Sequence, residues 1–497
     1  MESIVSSLLR FADSQPEALA LIDKRGGFTY GEVSQRVKAT AAWLYQSGVR
    51  TGDTVALSLS IAPENSLGSL QFFYALAYLG AIVLPLHVGV PIARMIGLVE
   101  RFSARYWIDD HVPRPAAHTL LLDPKSFTGS ENSPVDGIPQ RGDDSGRPFL
   151  YHFTSGTTGA PKVVLFSAGQ FSEWALSLSN PLGSTANDRQ VPATPWTTKV
   201  GLRDMARIHL VGGTFVNAAF PKTRQELATL IHNFGVTQLA ASPWQLRRLL
   251  NSQTPPGTRL PPLRVLSVGG APISPQELIA SRESITPNIY VTYGANEIGM
   301  IACLRPEEPA NMVGRVGKLI PLVEAQAVDN DHRPLPFGTV GNLRFRAPWM
   351  SRSYVGNETA TGQSFFDGWF YPGDLGSIAA DGYVVLRGRT DDIINFGGVK
   401  IAPGDIEPVL QQHPDVLDAA VIGVPDAMAG QAPIGFVVLR RPVSIADLSN
   451  FCAEHLDGSQ LPVHFVVVHE IPRSPDGKIL RDRLSAMHSS LSRRPGN

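Results

Sequence analysis

Residues 153–162 read FTSGTTGAPK. The stretch holds three threonines, a serine, two glycines and a lysine, and no carboxylate. Glycine frees main-chain N–H groups, while the hydroxyls and the ammonium add further donors, so the turn suits the anionic oxygens of a polyphosphate. A Walker loop would need G-x-x-x-x-G-K-[ST] opening a helix. Here Gly156 and Gly159 stand too close together, and Pro161 precedes Lys162. The G-x-G-x-x-G of a dinucleotide site is also absent from the stretch.

Outward from this turn, helix and strand patterns alternate. YGEVSQRVKATAAWLYQSG places Val33, Val37, Ala41 and Leu44 on one helical face, with Gly48 as the stop, and TVALSL follows as a strand. RQELATLIHNFG repeats the scheme with Leu227, Leu230, Ile231 and Phe234, closed by Gly235. VTQLAA, LRVLSVGG and NIYVTYG read as strands. SPQELIASRES opens a helix with Ser274 as N-cap, Pro275 at the first helical position and Glu277 completing a capping box. Repeated strand–helix–strand units predict an α/β protein with largely parallel sheets flanked by helices. Past residue 310 the texture changes to short strands and turns, and after Arg389 a compact α+β set follows. The polar segment 124–149 reads as a surface connection, and the tail SSLSRRPGN as disordered.

Length and composition narrow the class. A chain of 497 residues implies more than one domain, and 43% hydrophobic with 18% charged residues implies an ordinary globular core. The net charge of -1, without a long basic run, argues against broad contact with nucleic acid or an anionic membrane. The two cysteines, Cys303 and Cys452, give neither a disulfide framework nor metal spacing, which fits a reducing cytoplasm. Histidines such as His209 and His232 show no ligand spacing and read as packing or surface residues. At the N-terminus, Glu2, Arg10 and Asp13 interrupt what would otherwise be a signal-like segment. The uncharged run 71–91 is long enough for a membrane span, but Gly80 and Pro85 divide it into a buried helix and a core strand.

With its flank, YHFTSGTTGAPK resembles the phosphate loop of the adenylate-forming enzymes, which include acyl- and aryl-CoA ligases, peptide-synthetase adenylation domains and firefly luciferase. Four further segments follow in that superfamily's order. YGANEIG (293–299) resembles its Tyr-Gly-x-x-Glu segment, and WFYPGDLG (369–376) the one whose Asp holds ribose hydroxyls. GRTDDIINFGGVKIAPGDIE (388–407) resembles its hinge and the loop beyond, and PRSPDGKILRDRL (472–484) the segment with the catalytic lysine. The resemblance runs from about Phe28 to Arg483. It implies a large N-terminal domain, residues 1–387, with mostly parallel helix-flanked sheets and a small barrel-like β portion. A small mobile α+β C-terminal domain, residues 388–497, would follow.

The resemblance also assigns roles. Thr154, Ser155, Gly156, Thr157, Thr158, Gly159 and Lys162 would cradle the ATP phosphates, and Glu297 with the Thr154 hydroxyl would hold Mg²⁺. Gly270, Ala271, Tyr293, Gly294 and Asn296 would complete the nucleotide site, and Asp374 and Arg389 the ribose end. Lys478 would bridge the attacking carboxylate and the α-phosphate, where charge builds as pyrophosphate leaves. Asp391 falls at the hinge. Gly397 and Gly398 would admit the narrow pantetheine arm in the second pose, because glycine permits close backbone approach.

Departures from the family pattern bear on substrate. A segment like Pro-x-x-His-x-x-Gly lies above the acyl pocket of relatives, and PWTTKVG puts Thr198 at the His position. Asn296 stands where Thr is usual and remains a donor. Asn342 and Asp405 replace the commoner Glu. Trp196, Thr198, Lys199, Ser242, Gly269 and Met300 are the candidate acid-pocket residues, a mix suited to a medium-sized or aromatic acid, and a lysine there suits a second carboxylate or phosphate or else faces solvent. The expected activity is ATP-dependent formation of an acyl-adenylate and transfer of the acyl group to CoA. The alternatives are a free-standing ligase that loads a carrier-protein phosphopantetheine, and a non-catalytic nucleotide-binding homologue. Oligomeric state stays open, a homodimer among the options.

Overall fold

The computed structural model describes residues 2–59, 66–87, 90–109, 119–124, 127, 144–154, 162–253, 260–310, 314–397, 399–473 and 478–492. Ser155, Gly156, Thr157, Thr158, Gly159 and Gly398, and most of the polar connection 124–149, lie outside the described residues. Among those described, the strands gather into sheets of six, fifteen and five. The result is an α/β architecture followed by a separate small α+β layer, in agreement with the sequence reading.

The six-stranded sheet carries at its edge the two strands on either side of residues 155–161. Thr54–Leu59 and Ile82–His87 run parallel, Pro148–Thr154 adds in parallel, and Lys162–Ser167 folds back antiparallel so that Thr154 pairs with Lys162. Alternation along Pro148–Thr154 sends Leu150 and His152 toward the main core and Tyr151 and Phe153 toward a second cluster around Phe102. The apolar run 71–91 divides as expected, with helix to Leu79 and strand from Ile82. No helix among the described residues is long and apolar enough to cross a membrane.

The fifteen-stranded sheet changes character at one strand. Gln238–Ala241, Val265–Gly269 and Ile289–Ala295 are parallel neighbours, whereas Gly299–Leu304, Arg315–Leu319, Tyr383–Arg389, Asp374–Ile378 and Gly341–Arg346 continue the sheet antiparallel. The carboxyl ends of the parallel strands therefore open beside the antiparallel part, the kind of crevice in which α/β proteins place ligands. Local signals hold where expected: Ser274 and Glu277 form a reciprocal capping box, and Gly235 ends its helix at φ +62°.

The five-stranded sheet, with its helices Pro403–Leu410 and Ile445–His455, has a core of its own around Ile394, Ile406, Leu410, Val421, Leu448 and Phe465. Polar contacts are among those that join it to the rest. Arg387 meets Asp405 at 3.1 Å. Asp418 accepts two 2.9 Å bonds from Arg473 Nη2 and lies 3.9 Å from Arg247, which itself pairs with Glu277. One expectation fails: the tail is not disordered throughout, because the helix Arg481–Ser492 runs through its first residues. The cause is apolar, since Leu484 is fully buried and Met487 packs on the same cluster with Ile422 and Phe436. Cys303 and Cys452 are free and buried, and burial pushes their thiols up to about 12 and about 11.

Candidate active site

Glu297 sits at the tip of the turn that joins Ile289–Ala295 to Gly299–Leu304. A Cβ on Gly294 would stand 2.2 Å from the Gly299 carbonyl oxygen, so the strands close this tightly only with glycine there. The turn buries Glu297. Its Oε1 accepts a 2.7 Å bond from the Tyr354 hydroxyl. The Tyr354 ring in turn lies 5.0 Å from Lys162 Nζ. One tyrosine thus links the candidate metal carboxylate to the candidate phosphate lysine. Burial, then the Glu297 carboxylate, pushes the Tyr354 phenol far above its ordinary value, so it stays a donor. The sequence reading missed Tyr354, whose role arises only from packing with distant residues.

A second linked group lies at the start of the Asp374–Ile378 strand, opposite Arg389 in register. Asp374 accepts from the Tyr293 hydroxyl at 2.5 Å and from Arg389 Nη1 at 3.0 Å, while Arg389 also donates to the Pro372 carbonyl at 2.7 Å. The carboxylate is held from two sides. Burial and the adjacent Asp374 push the Tyr293 phenol well above its usual range.

The candidate pocket residues are placed in different ways. Ser242, Gly269 and Tyr293 come from the carboxyl ends of neighbouring parallel strands. A Cβ on Gly269 would lie 2.2 Å from Thr292 Oγ1, so that strand contact also requires glycine. Gly270 and Ala271 follow directly, partly open to solvent. Trp196 and Met300 are buried, and the Met300 N–H donates to Ser177 Oγ at 3.2 Å. Thr198 is the N-cap of the helix Lys199–Leu210: its Oγ1 accepts from Gly201 N at 3.1 Å and lies 2.6 Å from Thr194 Oγ1. The residue at the gate position is therefore fixed as a cap. Asn296 is half-buried in the tip turn beside Glu297.

The remaining expected residues lie on or near the five-stranded sheet. Asp391 is exposed in the short turn Thr390–Asp392, between Arg389 and the first strand of that sheet. Gly397 turns the hairpin between Ile394–Phe396 and Val399–Ile401 at φ +57°. Lys478 is exposed and follows residues 474–477, which are outside the described set. No group of three or more His, Cys, Asp or Glu suited to a metal occurs among the described residues. The buried Glu297 carboxylate is a hard oxygen donor of the kind Mg²⁺ takes, an ion that needs few protein oxygens.

A family model described as AMP-binding enzyme matches residues 8–355, and one described as AMP-binding enzyme C-terminal domain matches residues 405–478. The 2-succinylbenzoate–CoA ligase of Geobacillus sp. (strain WCH70) is 30% identical, over 98% of this chain and 98% of its own. A fatty acid–[acyl-carrier-protein] ligase of Streptomyces coeruleorubidus is 27% identical, over 97% of this chain and 96% of its own. Among solved structures, the o-succinylbenzoate CoA synthetase of Bacillus subtilis in complex with its acyl-adenylate intermediate matches with a TM-score of 0.80 at 27% identity. The match covers 96% of this chain and 97% of that one.

Proposed function

Because the chain belongs to the AMP-binding enzyme family, we propose that it activates a medium-sized or aromatic carboxylic acid with ATP and passes the acyl group to the thiol of CoA. The products are acyl-CoA, AMP and pyrophosphate. The observation that carries this reading is the pairing of two linked groups beside one crevice, Glu297–Tyr354–Lys162 and Tyr293–Asp374–Arg389. The first suits a metal-bound triphosphate and the second a ribose.

In this reading the acid carboxylate attacks the α-phosphorus, and pyrophosphate leaves in line. Lys162 and the hydroxyls of the loop beside it hold the outgoing phosphates. Lys478 neutralises charge on the attacking and α-phosphoryl oxygens. Glu297 and Thr154 would hold Mg²⁺, which when bound offsets charge on the phosphate oxygens. Asp374 orients the ribose, and Arg389 holds Asp374 in place. Asn296 donates to a phosphoryl oxygen. Replacing Tyr354 by phenylalanine keeps the ring over Lys162 and removes only the bond to Glu297. Loss of one hydrogen bond to a charged group predicts about a tenfold fall in kcat/KM for ATP, read by pyrophosphate release. Unchanged ATP kinetics would remove Tyr354 from the site.

The second step needs other groups at the same place. Residues 388–497 are proposed to rotate about Asp391, withdrawing Lys478 and bringing the Gly397–Gly398 turn to the thiol path. Asp391→Pro fixes φ at the hinge, so thioester formation is expected to fall at least about tenfold more than adenylation. Single-turnover assays of each half-reaction measure this, and equal losses in both count against the hinge.

A free-standing ligase for carrier-protein phosphopantetheine is the second reading, favoured by the carrier-loading relative. An acid panel read by pyrophosphate release, with and without CoA and with candidate carriers, separates the two. Acid-independent binding of ATP without release in any arm would favour a nucleotide-binding homologue. The buried, reduced cysteines are consistent with a cytoplasmic setting.

A further inference from the structure

A row of four alternating charges joins the five-stranded sheet to the larger part of the molecule. Glu277 on the helix Pro275–Ser284 pairs with Arg247 on the helix Pro243–Leu250, through Nε and, at 3.3 Å, through Nη2. Arg247 Nη1 stands 3.9 Å from Asp418 Oδ1. Asp418 belongs to the strand Val416–Asp426 of the five-stranded sheet, and both of its oxygens accept from Arg473 Nη2 at 2.9 Å. The four side chains are only 9–18% exposed, so salt and solvent screen them little.

Both ends of the row lead toward the reaction site. The Arg247 helix begins at Ser242, one of the candidate pocket residues. Arg473 forms an isolated bridge with Ile479, the residue after Lys478, and the Leu480 N–H donates to the Pro472 carbonyl at 2.9 Å. The middle link is the loosest. Arg247 Nη1 is buried and has no hydrogen-bond partner among the described residues. At 3.9 Å it makes an ion pair with Asp418, and an approach of about 1 Å would turn that contact into a hydrogen bond. Burial opposes the charge on Arg247, but Glu277 and then Asp418 outweigh it and hold the guanidinium above its ordinary value.

The pose that this row joins can be recognised from the Gly397 turn. Gly397 is exposed, a Cβ there would meet nothing within 4 Å, and Val399 is 44% exposed. The turn expected on the thiol path therefore faces solvent, so the arrangement is not that of the second step. Arg387 and Asp405, in contact at 3.1 Å, lie close along the chain to the hinge at Asp391. Asp418 lies further on, and rotation about Asp391 carries it away from Arg247.

We infer that Arg247 and Asp418 are positioning residues that clasp the C-terminal part in the adenylation pose, and that the clasp opens before the acyl group is transferred. The inference rests on the two-step reading and adds what holds the first of its two poses. A buried ion pair contributes little to net stability, yet it favours the one arrangement in which its members meet. The two half-reactions draw on two exchanging poses. The ratio of their rates therefore scales with the equilibrium between the poses, whatever its value in the parent chain. Loss of the clasp changes that ratio, whereas a general loss of folded protein lowers both rates together.

The test measures single-turnover adenylation, and thioester formation from preformed acyl-adenylate, on the full chain. It uses the acid of the panel that the parent chain adenylates fastest and the thiol that the parent accepts. Arg247→Gln and Asp418→Asn, the second of which keeps an acceptor for Arg473, are each expected to lower the ratio of adenylation to thioester formation about tenfold. Arg247→Lys keeps the charge without the fork and recovers part of the ratio. In the double variant the ratio falls no further than in either single one, because the same contact is lost; independent effects would multiply to about a hundredfold. If one single variant does not fold, the other decides. A ratio unchanged in the single variants, or effects that multiply in the double one, overturns the clasp. A parent chain that exchanges pyrophosphate with no acid overturns the adenylation reading itself, and the inference falls with it.

Discussion

Lys478→Ala lowers acid-dependent pyrophosphate exchange by about two to three orders of magnitude, the usual effect of losing one preorganised transition-state donor. Affinity for ATP, measured by equilibrium titration, changes far less. The asymmetry follows from where the lysine stands. Its side chain is exposed, while Arg473 pairs with Asp418 and forms an isolated bridge with Ile479. An exposed lysine adds little to stability, so the alanine variant keeps its fold and the loss is chemical. Equal losses of binding and exchange would contradict the assigned role.

Glu297→Gln reduces adenylation by about two orders of magnitude, because a neutral amide holds a hard divalent cation poorly and forfeits several kcal/mol of charge stabilisation. The amide oxygen can still accept from Tyr354, so thermal stability changes little. The diagnostic readout is the magnesium dependence: the variant needs a much higher Mg²⁺ concentration, and raising it recovers part of the rate. A magnesium titration identical to that of the parent chain would remove Glu297 as the ligand. This contrasts with Tyr354→Phe, where the carboxylate remains and only its anchoring is lost.

The parts legible in the sequence are those fixed by local chemistry. Ser274 and Glu277 announce a helix start because their hydrogen bonds span a single turn, and Gly235 announces an end because its φ is positive. Loop motifs were legible for the same reason, since Glu297 and Asp374 lie within short stretches of fixed spacing. Strand pairing is not local. Nothing within NIYVTYG says that its two neighbours run in opposite senses, yet that change opens the crevice. Tyr354 is invisible for a similar reason, being 57 residues from the carboxylate it anchors. Thr198 was legible as a departure from the gate position, but its work as a cap depends on the hydroxyl of Thr194 and the N–H of Gly201. The tail looked polar enough to be loose, and Leu484 and Met487 hold its helix down.

The two native thiols have a practical consequence. Both are enclosed, and burial keeps them protonated far above neutral pH, so maleimide reagents find almost no thiolate to attack. A fluorophore pair on two introduced surface cysteines, one on each side of Asp391, can therefore test the proposed hinge against an otherwise silent background.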